Sequence, residues 1–170
     1  VITFLKPKEQ HQHKNGGGWV ANTATVEETA FIGENARVYG NAQVYGNAQV
    51  FGDAWVYGNA QVYGYAQVYG YAQVYGYARV YGNAWVYGNA WVYGNAQVFG
   101  DAWATSPLYI QGTKHSITNC AYGQLAIGCQ VRTFAEWKKK YKAIGKAAGY
   151  TEDQIKEYGL HIAHAVKVGK

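Results

Sequence analysis

Apolar and polar positions along this chain recur with a period that neither a helix nor an ordinary strand explains. Aliphatic residues stand at 20, 26, 32, 38, 44, 50, 56, 62, 68, 74, 80, 86, 92 and 98, and from 24 onward Ala lies two places before each. The step is six throughout, so the pattern belongs to stacked repeats and predicts a solenoid. Within a hexad such as Ala54-Trp55-Val56-Tyr57, Ala and Val share one face of a short strand. The residue between them and the Tyr after Val point to the other face. Small and branched side chains then fill a narrow interior, while Gln, Trp and Tyr look outward. Gly is retained at 40, 46, 52 and every sixth place to 100, whereas its successor varies among Asn, Asp and Tyr. The corner dihedral with positive φ is therefore expected on Gly.

The phrase Val-Tyr-Gly-Asn-Ala-Gln and its variants resemble the hexapeptide-repeat family. That resemblance implies an all-β solenoid: a left-handed parallel β-helix in which three hexads close one triangular coil of 18 residues. About five coils are expected between residues 19 and 112. Residues 1–18 read as an N-terminal strand over Val1–Leu5 and a Gly-rich lead-in, with regular structure broken from Pro7 to Lys14. Residues 113–170 read as a hairpin with two short α-helices, a module that caps the solenoid or joins subunits.

Folding the chain at 18 residues sorts the outward side chains onto three faces. The first gathers Trp19, Trp55, Trp91, Tyr39, Tyr57, Tyr75, Tyr93 and Tyr109, together with Arg37. The second holds Tyr45, Tyr63, Tyr81 and Phe99 among Gln43, Gln61, Arg79 and Gln97. The third holds Phe31, Phe51, Tyr69, Tyr87, Trp85 and Trp103. So large an aromatic patch makes the first face the candidate subunit interface or ligand surface. Stacked aromatic ladders also stabilise a sheet by themselves, which leaves that alternative open. Tyr65, Tyr71 and Tyr77 replace the corner Asn three times running and predict a collar around one coil.

Charge shifts attention to the other end. The net charge is +5. Residues 20–112 carry two basic and five acidic groups, whereas residues 113–170 carry ten Lys and Arg against four Asp and Glu. Lys138, Lys139, Lys140, Lys142 and Lys146 make a basic helix, a candidate phosphate surface for a nucleotide or nucleic acid. Thr133-Phe134-Ala135-Glu136 and Thr151 to Gln154 are capping boxes that open the two helices. His115–Cys120 and Gln124–Thr133 are expected to pair about Ala121-Tyr122-Gly123, so that Ile117 meets Ile127, Asn119 meets Leu125 and His115 meets Cys129.

Candidate chemistry is sparse. No His occurs between 14 and 114, and no insertion breaks the register from Val20 to Val98. The acyltransferases and γ-type carbonic anhydrases of the resembled family need such histidines, so catalysis in the repeats is not expected. His11 and His13 read as solvated loop residues, and no metal or cofactor is expected. Without an apolar run of roughly 20 residues no membrane span is expected, and a soluble, cytoplasmic protein is predicted. The flanks Asn15-Gly16-Gly17-Gly18-Trp19 and Thr133-Phe134-Ala135-Glu136-Trp137 also resemble hexapeptide-repeat proteins of phages and prophages. That resemblance implies a non-catalytic homo-oligomer, a trimer by the habit of the architecture, that binds a host ligand. The alternatives are sequestration of a nucleotide signal or nucleic acid, and an acyltransferase with a degenerate site.

Overall fold

A two-residue strand is about as short as a ladder can use, and the hexad permits little more, two residues and at most three, because Gly turns the chain after every Val-Tyr. In the computed structural model, which describes residues 9–100 and 102–169, each hexad is such a strand followed by a corner. The expected strand over Val1–Leu5 lies outside the described residues. The corner glycines have positive φ, for example +67° at Gly40 and +72° at Gly58, and no other residue type does among the described residues.

Parallel pairing joins each strand to the one 18 residues later, so that Val38 lies beside Val56, Val56 beside Val74, and Val74 beside Val92. Three sheets result. The first stacks Trp19–Ala21, Arg37–Val38, Trp55–Val56, Gln73–Val74 and Trp91–Val92. The second runs from Thr25–Val26 to Gln97–Phe99, and the third from Phe31–Ile32 to Ala102–Trp103. The corners join the ladder too. The Asn41 N–H donates to Gly58 O at 2.7 Å, and the Tyr71 N–H donates to Gly88 O at 2.9 Å. A corner Tyr thus keeps the backbone bonds of a corner Asn and differs only in its exposed ring. From Val38 to Val98 the valines and their partner alanines are buried at 1 % exposure or less. The repeat unit is a β-solenoid of about four turns, fewer than the five expected.

Both ends of the stack depart from the pattern. At the start, Gln10–Gln12 pairs antiparallel with Trp19–Ala21, a strand where the polar run was expected to break structure. Gly16 and Gly17 adopt positive φ to reverse the chain, and a Cβ on Gly18 would collide with Gly33 O. His13 is not solvated: it is buried, with its ring Nε2 3.0 Å from Ala30 O. His11 is exposed and sits 3.1 Å from Asn22 Oδ1.

At the far end the register slips by one. Val86 pairs with Trp103, so Trp103 takes an inward place and is 2 % exposed, contrary to the outward place expected on the third face. With no further coil to continue the narrow column, a large ring can close it where Val would leave a gap.

The chain divides into two compact units, Val1–Ser106 and Pro107–Lys170. The expected limit at 112 is therefore late, and Tyr109 leaves the first face. Tyr109–Gln111 pairs antiparallel with Ser116–Ala121 in a four-stranded sheet completed by Gln124–Ile127 and Gln130–Thr133. Ile117 does face Ile127, and Asn119 faces Leu125. The second arm is split, however, because Gly128 at φ +57° turns the chain. Cys129 thus stands exposed in a turn and outside the strands, while Cys120 is buried. Two helices, α1 (Phe134–Ala147) and α2 (Glu152–Val168), each begin with the expected capping box. They pack Trp137, Tyr158, Ile162 and Ala165 against Ile117, Leu125 and Ile127. The Trp137 indole N–H donates to Leu125 O at 2.9 Å, and the Tyr158 hydroxyl donates to His115 O at 2.6 Å. Among the described residues no helix is long and apolar enough to cross a membrane.

Candidate binding face

The first sheet brings its outward residues into two parallel rows. Strand register alone fixes one of them as Trp19, Arg37, Trp55, Gln73 and Trp91, one residue per coil. Beside it, one place after each Val, run Tyr39, Tyr57, Tyr75 and Tyr93. Every first-face residue singled out from sequence, except Tyr109, lies here.

The tyrosines form a stacked ladder with centroids 4.9, 4.8 and 5.6 Å apart and planes within 3°, 7° and 15°. The first two separations are the strand spacing itself, so Tyr39, Tyr57 and Tyr75 contact one another with no adjustment of the backbone. Similar ladders run along the second face through Tyr45, Tyr63, Tyr81 and Phe99, and along the third through Phe51, Tyr69 and Tyr87. Packing this close raises the phenol pKa of Tyr39, Tyr57 and Tyr75, first by burial and then by the neighbouring phenol. At Tyr39 the guanidinium of Arg37 opposes the rise.

The Trp row behaves differently. Trp55 meets Tyr39 edge-on, at 6.1 Å and 75°. Trp19 and Trp91 remain 37 % and 48 % exposed. Alongside the row a groove of about 390 Å³ is lined by Trp19, Arg37, Trp55 and Gln73 on one side. Glu34, Asn35, Asp53 and Tyr71 line it from the corner that precedes each strand. The Gln73 amide is held in place by the Tyr57 hydroxyl, which donates to Oε1 at 3.0 Å. One guanidinium faces two exposed carboxylates, so the groove carries a local charge of about −1 by formal charges. Arg37 was anticipated, but Glu34, Asn35, Asp53, Tyr71 and Gln73 were not. The signal for them was present: each corner residue precedes a first-face strand residue by two or three places, the same offset in successive coils.

Of the corner tyrosines, only Tyr71 reaches this groove. Tyr65 and Tyr77 are 65 % and 66 % exposed and stand at other corners. In the second unit all five lysines singled out from sequence are exposed on α1. Helix geometry puts Lys138, Lys139, Lys142 and Lys146 within an arc of about 100° and Lys140 outside it. The Lys146 ammonium lies 3.7 Å from Glu152. Between α1, α2 and the sheet is a small apolar cavity of about 120 Å³, lined by Trp137, Tyr141, Ile144, Ile155 and Tyr158 with His115 and Cys129. The Nδ1 of His115 is 2.6 Å from the Tyr150 hydroxyl.

The YdcK beta solenoid repeat is the family whose model matches this chain, over residues 30–46, 42–58, 48–64, 72–88 and 78–94. These hexads are thus β-solenoid repeats by sequence as well as by coordinates. No curated protein and no solved structure matches the chain.

Proposed function

We propose that this β-solenoid repeat protein is a non-catalytic binding scaffold that holds a host ligand or partner against its first face. It assembles from copies of itself, as a trimer, through surfaces that leave that face open. The resemblance of its hexads and flanks to hexapeptide-repeat proteins of phages favours an accessory protein of that kind.

The observation that carries this reading is the groove between Trp19 and Trp55, because it has charged and polar groups set between an exposed indole and a half-buried one. Were the first face a subunit interface, Arg37, Glu34 and Asp53 would have to leave water. The desolvation cost of such groups is several kcal/mol per ion unless each finds a well-placed partner. A ligand that brings hydroxyls or amides covers only part of each group and leaves the rest in water, so ligand binding is favoured over self-association at this face. The sign of the charge matters as well. A phosphate placed here would meet two carboxylates and one guanidinium, which argues against a nucleotide in this groove.

The test is the mass of the assembly measured by light scattering, for the native chain and for the double variant Arg37→Ala, Trp55→Ala. The reading expects a trimer mass for both. A native monomer would remove the assembly, and a variant that dissociates would make the first face an interface rather than a binding surface.

A further inference from the structure

Ladder stacking accounts for the tyrosines of the first face and leaves its tryptophans unexplained. Trp19, Trp55 and Trp91 occupy alternate coils, with Arg37 and Gln73 in the coils between. Two strand spacings separate successive indoles by about 10 Å, too far for one ring to touch the next. Their recurrence is therefore not a stack of its own, and it sets the same flat group on one face at a fixed pitch, with Trp19 and Trp91 exposed and Trp55 half-buried.

We propose that this row is a track for an extended, uncharged β-1,4-linked polysaccharide laid along the solenoid, with alternate sugar rings resting on Trp19, Trp55 and Trp91. The inference rests on the binding-scaffold reading above and names its ligand class. In a β-1,4-linked glycan each pyranose is turned half a revolution from its neighbour, so the same C–H face returns at every second sugar. That disaccharide repeat is also about 10 Å long, two strand spacings of the track.

Three further features agree with such a ligand. The track is nearly straight, because the planes of Tyr39, Tyr57, Tyr75 and Tyr93 beside it depart from parallel by only 3°, 7° and 15° per coil. Trp55 is turned 75° from the Tyr39 plane, so it stands apart from the tyrosine stack, and a sugar that meets it need not part that ladder. Between platforms, the sugar that lies over the intervening coil meets Arg37 and Glu34, with Asp53 at the corner before the next platform, donors and acceptors suited to ring hydroxyls. The excess of carboxylate over guanidinium excludes uronate and phosphate polymers by like-charge repulsion. A groove of about 390 Å³ falls in the size range of small-ligand sites.

The experiment is calorimetric titration of the full chain with cellohexaose and with chitohexaose, which share the linkage and differ in the acetamido group. Maltohexaose, whose α-1,4 linkage coils the chain, and a hexagalacturonate serve as comparators. Binding of either β-1,4 hexamer, with affinity lowered about tenfold or more by Trp55→Ala and unchanged by Trp85→Ala on the third face, supports the proposal. The sharpest variant is Trp55→Gln with Gln73→Trp, which preserves composition and the number of indoles in the row but destroys the even pitch. It should bind as poorly as Trp55→Ala while melting close to the native temperature. Equal binding of maltohexaose, or full binding by the pitch variant, overturns the proposal. So does the failure of both β-1,4 hexamers, and in that case the scaffold reading still stands or falls separately by the assembly mass of the Arg37→Ala, Trp55→Ala chain. New reducing ends on a bound glycan would instead overturn its non-catalytic part.

Discussion

Replacing Val74 by Ala measures how tightly the interior of the solenoid is held. Val74 is 0 % exposed and lies between Val56 and Val92 in neighbouring coils. Losing two buried methyl groups costs about 1.6 kcal/mol in transfer free energy. The void cannot close by moving a strand, because the backbone on both sides is pinned. Tyr57 N–H donates to Val74 O, and Tyr75 N–H to Val92 O, each at 2.9 Å. An unrelaxed void of roughly 40 Å³, at about 24 cal/mol per Å³, adds about 1 kcal/mol. The expected total is about 2.5 kcal/mol. Val26→Ala is the internal reference, because Val26 belongs to the terminal coil and is only partly buried; it should cost about 1 kcal/mol. Urea unfolding followed by circular dichroism gives both values, provided the slope against denaturant is unchanged. A loss below about 1 kcal/mol for Val74→Ala, or equal losses at the two sites, would refute the argument that coil stacking prevents collapse.

Gly58→Ala and Gly100→Ala separate two costs of a corner side chain. Both glycines have positive φ, at +72° and +82°, but a Cβ on Gly58 would meet Gly76 N at 3.1 Å, while nothing lies within 4 Å at Gly100. Both should lose about 1–2 kcal/mol for the left-handed dihedral. Only Gly58→Ala should lose more, and equal melting points would show that the coil-to-coil contact is slack. The tyrosines predict the response to alkali. Burial and then the Tyr158 phenol push Tyr150 up to about 12, and Tyr39, Tyr57 and Tyr75 are raised in the same direction. A group whose pKa is higher folded than unfolded contributes fully below its unfolded value, about 10 for Tyr. That contribution is lost as pH rises through the folded value. The melting temperature should therefore fall from about pH 10 upward, with part of the tyrosinate absorbance appearing late. A melting temperature unchanged up to about pH 12 would contradict the burial of these tyrosines.

Where a local rule repeats, the chain announced its structure. The spacing of Val and Ala fixed the period, the invariant Gly fixed the corner, and the Thr133 and Thr151 boxes marked both helix starts. What escaped depends on single events at the edges of the pattern. Trp103 is placed by a one-residue slip that no hexad foretells, since Ala102-Trp103-Ala104 still reads as an outward Trp between two inward alanines. Gln10–Gln12 is a strand because it has an exposed sheet edge to pair with, not because its residues favour one. His13 is buried by the turn that Gly16 and Gly17 impose. The split of the last hairpin arm rests on Gly128 alone. The groove escaped because its wall is built from corners, and sorting only strand residues by face leaves Glu34, Asp53 and Tyr71 unassigned.

The alternation along the first sheet also bears on how such a chain changes length over generations. Near-identical tandem segments invite unequal recombination, which adds or removes whole storeys and spares the terminal pieces, Gln10–Gln12 below and Trp103 above. The walls are indifferent to such events, since any storey fits on any other. The row of indoles is not: gaining one storey throws it out of phase, whereas gaining two lengthens it by a full repeat. Descendants of this chain that keep the row should therefore differ from it by even numbers of storeys.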